Sequence, residues 1–125
     1  MNLNRTIYSL LTRIEESILL ILGQTKHIKN ANDFMLSPEG TFTLSGVCML
    51  LIYIGESIKS IESKTDSQYL IKYPEVPWTD IMGLRNIIAH EYHRIDEDEI
   101  YSVITNDLQP LLETIRKMKE DINWE

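Results

Sequence analysis

Apolar residues recur every three or four positions through three long segments, and this spacing decides the fold class. Because a helical residue advances by about 100°, such residues gather on one face of a helix. The pattern begins at Arg5 and ends at about Lys29, then returns from about Thr41 to Ser63 and again after Asp96. No segment alternates apolar and polar residues with the period of two that strands require. The sequence therefore predicts an all-α fold. In the first segment the apolar positions are Ile7, Leu10, Leu11, Ile14, Ile18, Ile21 and Leu22.

The second segment is predicted to be the central helix. Val47 to Ile54 is apolar nearly all round, which is typical of a helix that touches neighbours on more than one side. Gly46 and Gly55 each cost about 1 kcal/mol relative to alanine, so we expect close helix contact at one or both positions. Ser37 to Gly40 is predicted to be a loop, with Thr41 or Thr43 as the helix cap. The stripe itself comprises Leu44, Val47, Leu50, Leu51, Ile54, Ile58 and Ile61.

Two further helices complete the prediction. A connecting loop that contains Pro74 and Pro77 precedes a helix beginning at Trp78. The last helix begins near Asp96, and Pro110 must kink or restart it. The chain is therefore expected to form one domain, residues 1–125, built as an up-and-down four-helix bundle with one or two additional short helices. The buried stripe of the third helix is predicted to be Ile81, Leu84, Ile87 and Ile88.

Charge and cysteine content narrow the functional classes. A formal net charge of −7 argues against sequence-independent binding of nucleic acid over a broad surface, so any activity on RNA needs a local positive site. The single cysteine, Cys48, lies in an apolar run and is predicted to be a small buried hydrophobic residue. No leader pattern is present, and the longest apolar run is far short of the roughly 20 residues of a spanning helix. A cytoplasmic protein without membrane association is expected.

The densest polar cluster lies in the third helix, whose segment reads PWTDIMGLRNIIAHEYHRID from Pro77 to Asp96. Arg85, Asn86, His90 and Tyr92 combine a permanent cation, an amide, a group that titrates near neutrality and a phenol, which together are suited to handling phosphate. Asn86 and His90, four apart, share a helix face, whereas Arg85 and His90 diverge by about 140°. Both can address one ligand only at a helix end or across a two-fold axis, so we expect a homodimer.

Structural interpretations of these residues remain open. Arg85 could pair with a neighbouring acidic residue while His90 caps its own helix, and Tyr92 could be a half-buried aromatic residue. Glu56, which interrupts the central helix, could simply face solvent. The histidines His27, His90 and His93 and the single cysteine form no ligand set of familiar spacing, so we expect neither a metal nor a cofactor. His27 is predicted to lie on the surface.

Three motifs are similar to one known family. Arg85-x4-His90-x-Tyr92, with Asn86 directly after the arginine, resembles the signature of HEPN-domain ribonucleases, in particular the HepT-like toxins. Ile54-Gly55-Glu56-Ser57 resembles that family's IGEA element, with Ser57 in place of the usual alanine. The segment YPEVPW, from Tyr73 to Trp78, resembles its YPEIPW element. The resemblance runs from about Asn32 to the last helix.

The resemblance implies a metal-independent endoribonuclease that acts as the toxin of a toxin–antitoxin pair. Arg85, His90 and Asn86 would be catalytic in a site formed across the homodimer, and Glu56 would be a supporting acid that pairs with Arg85 or orients His90. A minimal nucleotidyltransferase antitoxin would adenylylate Tyr92 and so block the site. The alternatives are a non-catalytic helical module that binds a nucleotide or a transferase, and a plain dimerisation bundle.

Overall fold

A computed structural model describes residues 2–90 and 95–124, with only the backbone given for His90. Within these residues every regular element is helical, which confirms the predicted all-α class. The described part of the chain contains five α-helices, two short 3-10 helices and one π-helix. The α-helices are α1 (Leu3–Gln24), α2 (Pro38–Lys64), α3 (Trp78–His90), α4 (Glu97–Ser102) and α5 (Leu108–Asp121). The 3-10 helices span Ala31–Met35 and Leu70–Lys72, and the π-helix spans Val103–Asp107.

Helix α1 is shorter than predicted. Asn2 caps its start, since the side-chain oxygen accepts a hydrogen bond from the Asn4 N–H at 2.9 Å. Thr25 ends it: both its backbone N–H and its hydroxyl donate to the Ile21 carbonyl, at 3.1 and 2.7 Å. The prediction that the helix continues to about Lys29 was wrong, because a turn follows Gln24. The predicted apolar stripe of α1 is buried or half-buried throughout, and His27 is exposed as expected.

Helix α2 begins within the segment predicted to be a loop. Ser37 is its cap and accepts a hydrogen bond from the Gly40 N–H at 3.0 Å. Pro38 occupies the first helical position, where its missing N–H costs nothing. The assignment of the cap to Thr41 or Thr43 was therefore wrong. A Cβ on Gly40 would stand 2.7 Å from the Asp33 carbonyl oxygen, so a side chain is excluded where α2 crosses the preceding 3-10 helix.

Helix α2 is the central element, as predicted. It packs against α1, α3 and the 3-10 helix Ala31–Met35, and its predicted stripe is buried, apart from half-buried Leu50. Cys48 is fully buried, and this burial raises the pKa of its thiol to about 11, since the thiolate loses its hydration. By length and composition, α2 is the one helix of the described chain that could cross a membrane. The central helix of a bundle also meets this test, so the finding is weak evidence for a span.

The last helix is interrupted before Pro110 rather than at it. The π-helix Val103–Asp107 joins α4 to α5, and the Leu108 N–H bonds to the Val103 carbonyl, five residues back as in a π turn. Pro110 has no N–H to donate to the Asn106 carbonyl, as a regular α-helix would require. The wider π turn lies where that bond would be missing. The predicted stripe nevertheless stays buried through the interruption, at Ile100, Val103, Ile104, Leu108, Leu111, Leu112, Ile115 and Met118.

Helix α3 leaves one edge of the bundle open. It packs closely against α2, whereas over the described residues it makes few close backbone approaches to α4 or α5. Ile88 is buried and Ile81 and Leu84 are half-buried, but Ile87 is 51% exposed, so its assignment to the buried stripe was wrong. An amphipathic pattern does not reveal which of its apolar positions lacks a neighbouring helix.

Helices α1 and α5 are joined by an ion-paired cluster. Glu15 of α1 accepts from Lys119 Nζ at 2.6 Å and from Arg116 Nε at 2.8 Å, both on α5. Lys119 also lies 4.8 Å from the centre of the Tyr8 ring. These two cations of α5 thus share one acidic partner on α1. The pairs are partly exposed, so they contribute modestly to stability.

Candidate functional site

Arg85 lies against α2 rather than on an open face of α3. Its Nη1 donates to Glu56 Oε1 at 3.0 Å, and only 19% of its side chain is exposed, compared with 54% of the Glu56 side chain. Arg85, which is not among the residues predicted for the buried stripe of α3, is therefore largely covered by α2. Of the two interpretations of Glu56, the structure favours an acid paired with Arg85 over a carboxylate that only meets solvent.

Gly55 makes this position of Arg85 possible. A Cβ on Gly55 would stand 3.3 Å from both the Arg85 Cβ and the Ile81 carbonyl oxygen, a tighter approach than side chains usually tolerate. The expected close helix contact thus occurs at Gly55, whereas nothing lies within 4 Å of a Cβ added to Gly46. The adjacent Ser57 is buried, which suits a small residue at that place. Gly55 therefore leaves room for Arg85 against α2, and Glu56 forms an ion pair with it.

The other predicted site residues follow Arg85 along α3. Asn86 is exposed at the next position, and His90, four residues later, is the last residue of the helix that the structure describes. The backbone therefore places Asn86 and His90 on one face, as predicted. The side chain of His90 lies outside the described part of the structure, as do Tyr92 and His93, so their predicted roles stay predictions. The described residues hold no group of three potential metal ligands.

The arrangement around Arg85 is suited to binding an anion. A guanidinium group carries five N–H donors, and the Glu56 contact engages Nη1. Arg85 Nε is buried without a hydrogen-bond partner among the described residues. A neutralising carboxylate lowers the attraction for phosphate but fixes the orientation of the guanidinium plane. The group is thus preorganised beside the exposed amide of Asn86.

An exposed apolar face of α2 leads to this site. Phe42, Met49 and Tyr53 are 82%, 60% and 41% exposed. Their spacing places them within about 40° of one another around the helix, and Glu56 continues the same face by one turn. This apolar face of α2 was not predicted, because the sequence pattern of a central helix does not distinguish an apolar side that is buried from one that is left uncovered.

An all-helical domain that carries Arg85, Asn86 and His90 on one helix fits the class of helical proteins that process RNA. Comparison with known proteins makes this specific: the chain belongs to the HepT-like ribonuclease family, whose model, described as "Ribonuclease HepT-like", matches residues 12–118. The match covers more than half of α1, all of α2, the polar segment of α3 and most of α5.

Relatives from archaea agree with this assignment. The chain is 31% identical over 113 residues to a protein of Methanocaldococcus jannaschii named "Gamma-glutamylcyclotransferase and putative RNase", covering 90% of this chain and 47% of that protein. It thus spans about half the length of that relative. A "Putative RNase" of the same organism is 30% identical over 83% of this chain and 88% of its own length. "Probable ribonuclease HepT" of Thermococcus cleftensis is 28% identical over 86% and 90%. No solved structure matches the chain.

Proposed function

We propose that the chain is a metal-independent endoribonuclease and the toxin of a toxin–antitoxin pair in the cytoplasm. The observation that carries the proposal is the contact of Arg85 with α2: in a chain of the HepT-like ribonuclease family, a half-buried guanidinium is held by Glu56 beside exposed Asn86, on the helix that also carries His90. Because a net charge of −7 disfavours broad binding of nucleic acid, the proposed site depends on this local cation.

The proposed reaction is attack by the substrate's own 2′-hydroxyl on the adjacent phosphorus. A base takes the 2′ proton, the new O–P bond forms, the P–O5′ bond breaks, and an acid protonates the departing 5′ oxygen. The products are a 2′,3′-cyclic phosphate and a 5′-hydroxyl. An imidazole serves as base or acid near neutral pH, which suits His90. Arg85 stabilises the charge that develops on the phosphate, and Asn86 hydrogen-bonds a phosphate oxygen or the imidazole.

The proposed site needs two copies of the chain. Arg85 and His90 diverge by about 140° on one helix, so a two-fold axis is the simple way to bring an arginine and two histidines to one phosphate. The apolar face of α2 formed by Phe42, Met49 and Tyr53 supports this dimer, because it is uncovered and ends at the Arg85–Glu56 pair. The exposed edge of α3 beside it is the other part of the expected interface.

Cleavage of RNA by purified variants tests the proposal. We expect Arg85→Ala and His90→Ala each to lower cleavage to background, because each removes the charge or the proton transfer that the transition state needs. Matched controls are Arg13→Ala and His27→Ala, which alter exposed residues of α1 and the turn after it. The assay contains EDTA, and the products are examined for cyclic phosphate ends. Full cleavage by both site variants would remove the assignment.

Regulation of the site is proposed through Tyr92, which lies two residues after His90. A minimal nucleotidyltransferase antitoxin would transfer AMP from ATP to the Tyr92 hydroxyl and release pyrophosphate. The added phosphate would occupy the cation that RNA requires. After co-expression with such a transferase we expect a mass increase on the Tyr92 peptide, in multiples of an adenylyl group, and no such increase in Tyr92→Phe. An unmodified peptide would contradict this route of neutralisation.

The Glu56 ion pair favours one alternative, a non-catalytic helical module that binds a nucleotide or a transferase. In that case Arg85 would hold a phosphate that is never cleaved. The two proposals differ in outcome: the alternative predicts binding of a mononucleotide that depends on Arg85, together with intact RNA in the cleavage assay.

A further inference from the structure

The open edge of the bundle forms a groove between α3 and the α4–π–α5 segment. This groove encloses about 790 Å³ and is half-open to solvent. Its floor is apolar and includes Leu84, Val103 and Leu111. Ile87, more than half exposed, lies on the α3 side of the groove. These residues belong to apolar stripes that another helix would normally cover.

The two walls of the groove are long enough to contact a helix of about three turns. On α3 the lining residues Thr79, Gly83 and Ile87 are four apart. From Thr79 to Ile87 the wall rises by about 12 Å along the helix axis. The opposite wall runs from Glu99 to Leu111, which is about 18 Å along a helix. A partner helix with apolar residues at positions i, i+4 and i+7 has its contacts spread over a similar length.

The rim of the groove carries one sign of charge. Glu75, Asp80, Glu99 and Asp107 are all exposed and all line it, and none of the described lining residues is basic. A second copy of the chain seated here would bring two acidic rims together, and RNA would meet the same repulsion. A segment with lysine or arginine beside its apolar residues meets complementary charge instead.

We propose that this groove docks an amphipathic, cationic helix of a partner protein, which closes the open edge of the bundle. The docked helix contacts α3 up to Ile87, one turn before His90. The proposal goes beyond the ribonuclease function and does not depend on it, because it rests on the apolar floor, the length of the walls and the acidic rim.

A designed peptide provides the probe. It has about 14 residues of leucine and lysine, or nearly four turns, with leucine along one helical face, and its leucine–glutamate counterpart is the comparison. Titration of the full chain is followed by fluorescence anisotropy of the labelled peptide. We expect the lysine peptide to bind and the glutamate peptide to bind at least about tenfold more weakly, with affinity falling as salt rises. Equal binding of the two peptides would overturn the proposal.

Gly83 permits a test that leaves the fold intact. Nothing lies within 4 Å of a Cβ at this position, so the side chain of Gly83→Leu enters the open groove, and leucine favours helix over glycine. We expect about tenfold weaker binding of the lysine peptide. The control is Gly23→Leu, at a helical glycine of α1 that also faces open space and lies outside the groove. Equal binding by these two variants would contradict the proposal.

The charge of the rim is tested separately. Glu75→Lys with Asp107→Lys reverses two exposed rim charges, and Glu16→Lys with Glu120→Lys gives the same change in net charge elsewhere. The rim variant is expected to bind about fivefold more weakly than the control, the scale of two exposed charge pairs. Light scattering of Gly83→Leu completes the set: a loss of dimer in this variant would show that a second copy occupies the groove, and would overturn the proposal.

Discussion

At the scale of single residues, the pair formed by Arg85 and Glu56 bears most directly on the proposed activity. Glu56 holds Nη1 at 3.0 Å while more than half of its own side chain is exposed, so its proposed role is to orient the guanidinium. A carboxylate in this position opposes the attraction of Arg85 for phosphate and at the same time restricts its rotamers. The balance between these effects is measurable.

We expect Glu56→Ala to lower kcat for RNA cleavage by about tenfold, since the arginine loses its orientation for the transition state. Glu56→Gln keeps an acceptor for Nη1 and should recover part of the rate, with KM no higher than in the wild type because the competing charge is gone. Glu16→Ala, at an exposed acid of α1, is the control. Wild-type rates in both Glu56 variants would show that the ion pair with Glu56 does not orient Arg85 for catalysis.

At the scale of elements, the contact between α1 and α5 depends on pH. Hydrogen bonds from Lys119 and then Arg116 hold the pKa of Glu15 below its ordinary value. The stabilisation is therefore present above the unfolded-state pKa of about 4.3 and is lost as pH falls through the lower, folded-state pKa. Acidification should weaken the ion pairs of Glu15 with Arg116 and Lys119 before it affects the apolar core.

Glu15→Gln is expected to lower the free energy of unfolding by about 1 to 2 kcal/mol at pH 7, because one charged acceptor of two hydrogen bonds is lost. The difference from wild type should shrink once the pH falls below about 4. Urea unfolding at several pH values measures it, and Glu16→Gln on the same helix is the control. A difference that is constant with pH would contradict the ionic origin of the effect.

The elements also show what the sequence could predict. The buried stripes of α1, α2 and α5 follow from periodicity, because burial on one face is a property of the helix itself. Ile87 does not follow this rule, because none of the described helices covers it at the open edge of the bundle. The predicted start of α2 was wrong because serine followed by proline is typical both of a turn and of a helix start, and Ser37-Pro38 is a helix start.

The candidate site residues stay a prediction, and the position of Arg85 could not be predicted at all. Arg85, Asn86 and His90 were selected by their chemistry and by the family resemblance. The contact of Arg85 with Glu56 joins residues 29 positions apart, and no local pattern encodes such a pairing. The signal available was the helix cost of Gly46 and Gly55 in the interior of α2, and of these two only Gly55 has the close approach that this cost suggested.

At the scale of the whole molecule, there are two uncovered apolar surfaces, and each suits a different kind of partner. The face of α2 with Phe42, Met49 and Tyr53 leads to the arginine and suits a second copy of the chain. The groove beside α3 has an acidic rim and suits a basic partner. A dimer through the face of α2 alone would leave the groove free, whereas a dimer that also covered the groove side of α3 would compete with the docked helix.

Met49→Asp is expected to convert the dimer to a monomer and to abolish RNA cleavage, since a charge in the middle of an apolar interface is not compensated. Leu20→Asp, at an apolar residue of α1 that is half exposed, is the matched control and should keep both properties. Light scattering and the cleavage assay report the two outcomes. A monomeric Met49→Asp that still cleaves RNA would refute the shared site.

The burial of Cys48 makes its thiol a natural probe of local unfolding. Thiol reagents react with the thiolate, and a fully buried sulfur with a pKa of about 11 presents almost none of it at neutral pH. As the chain has a single cysteine, labelling requires the packing around the middle of α2 to open. The rate at which a thiol reagent labels the wild-type protein therefore reports how often this packing opens, without an engineered cysteine.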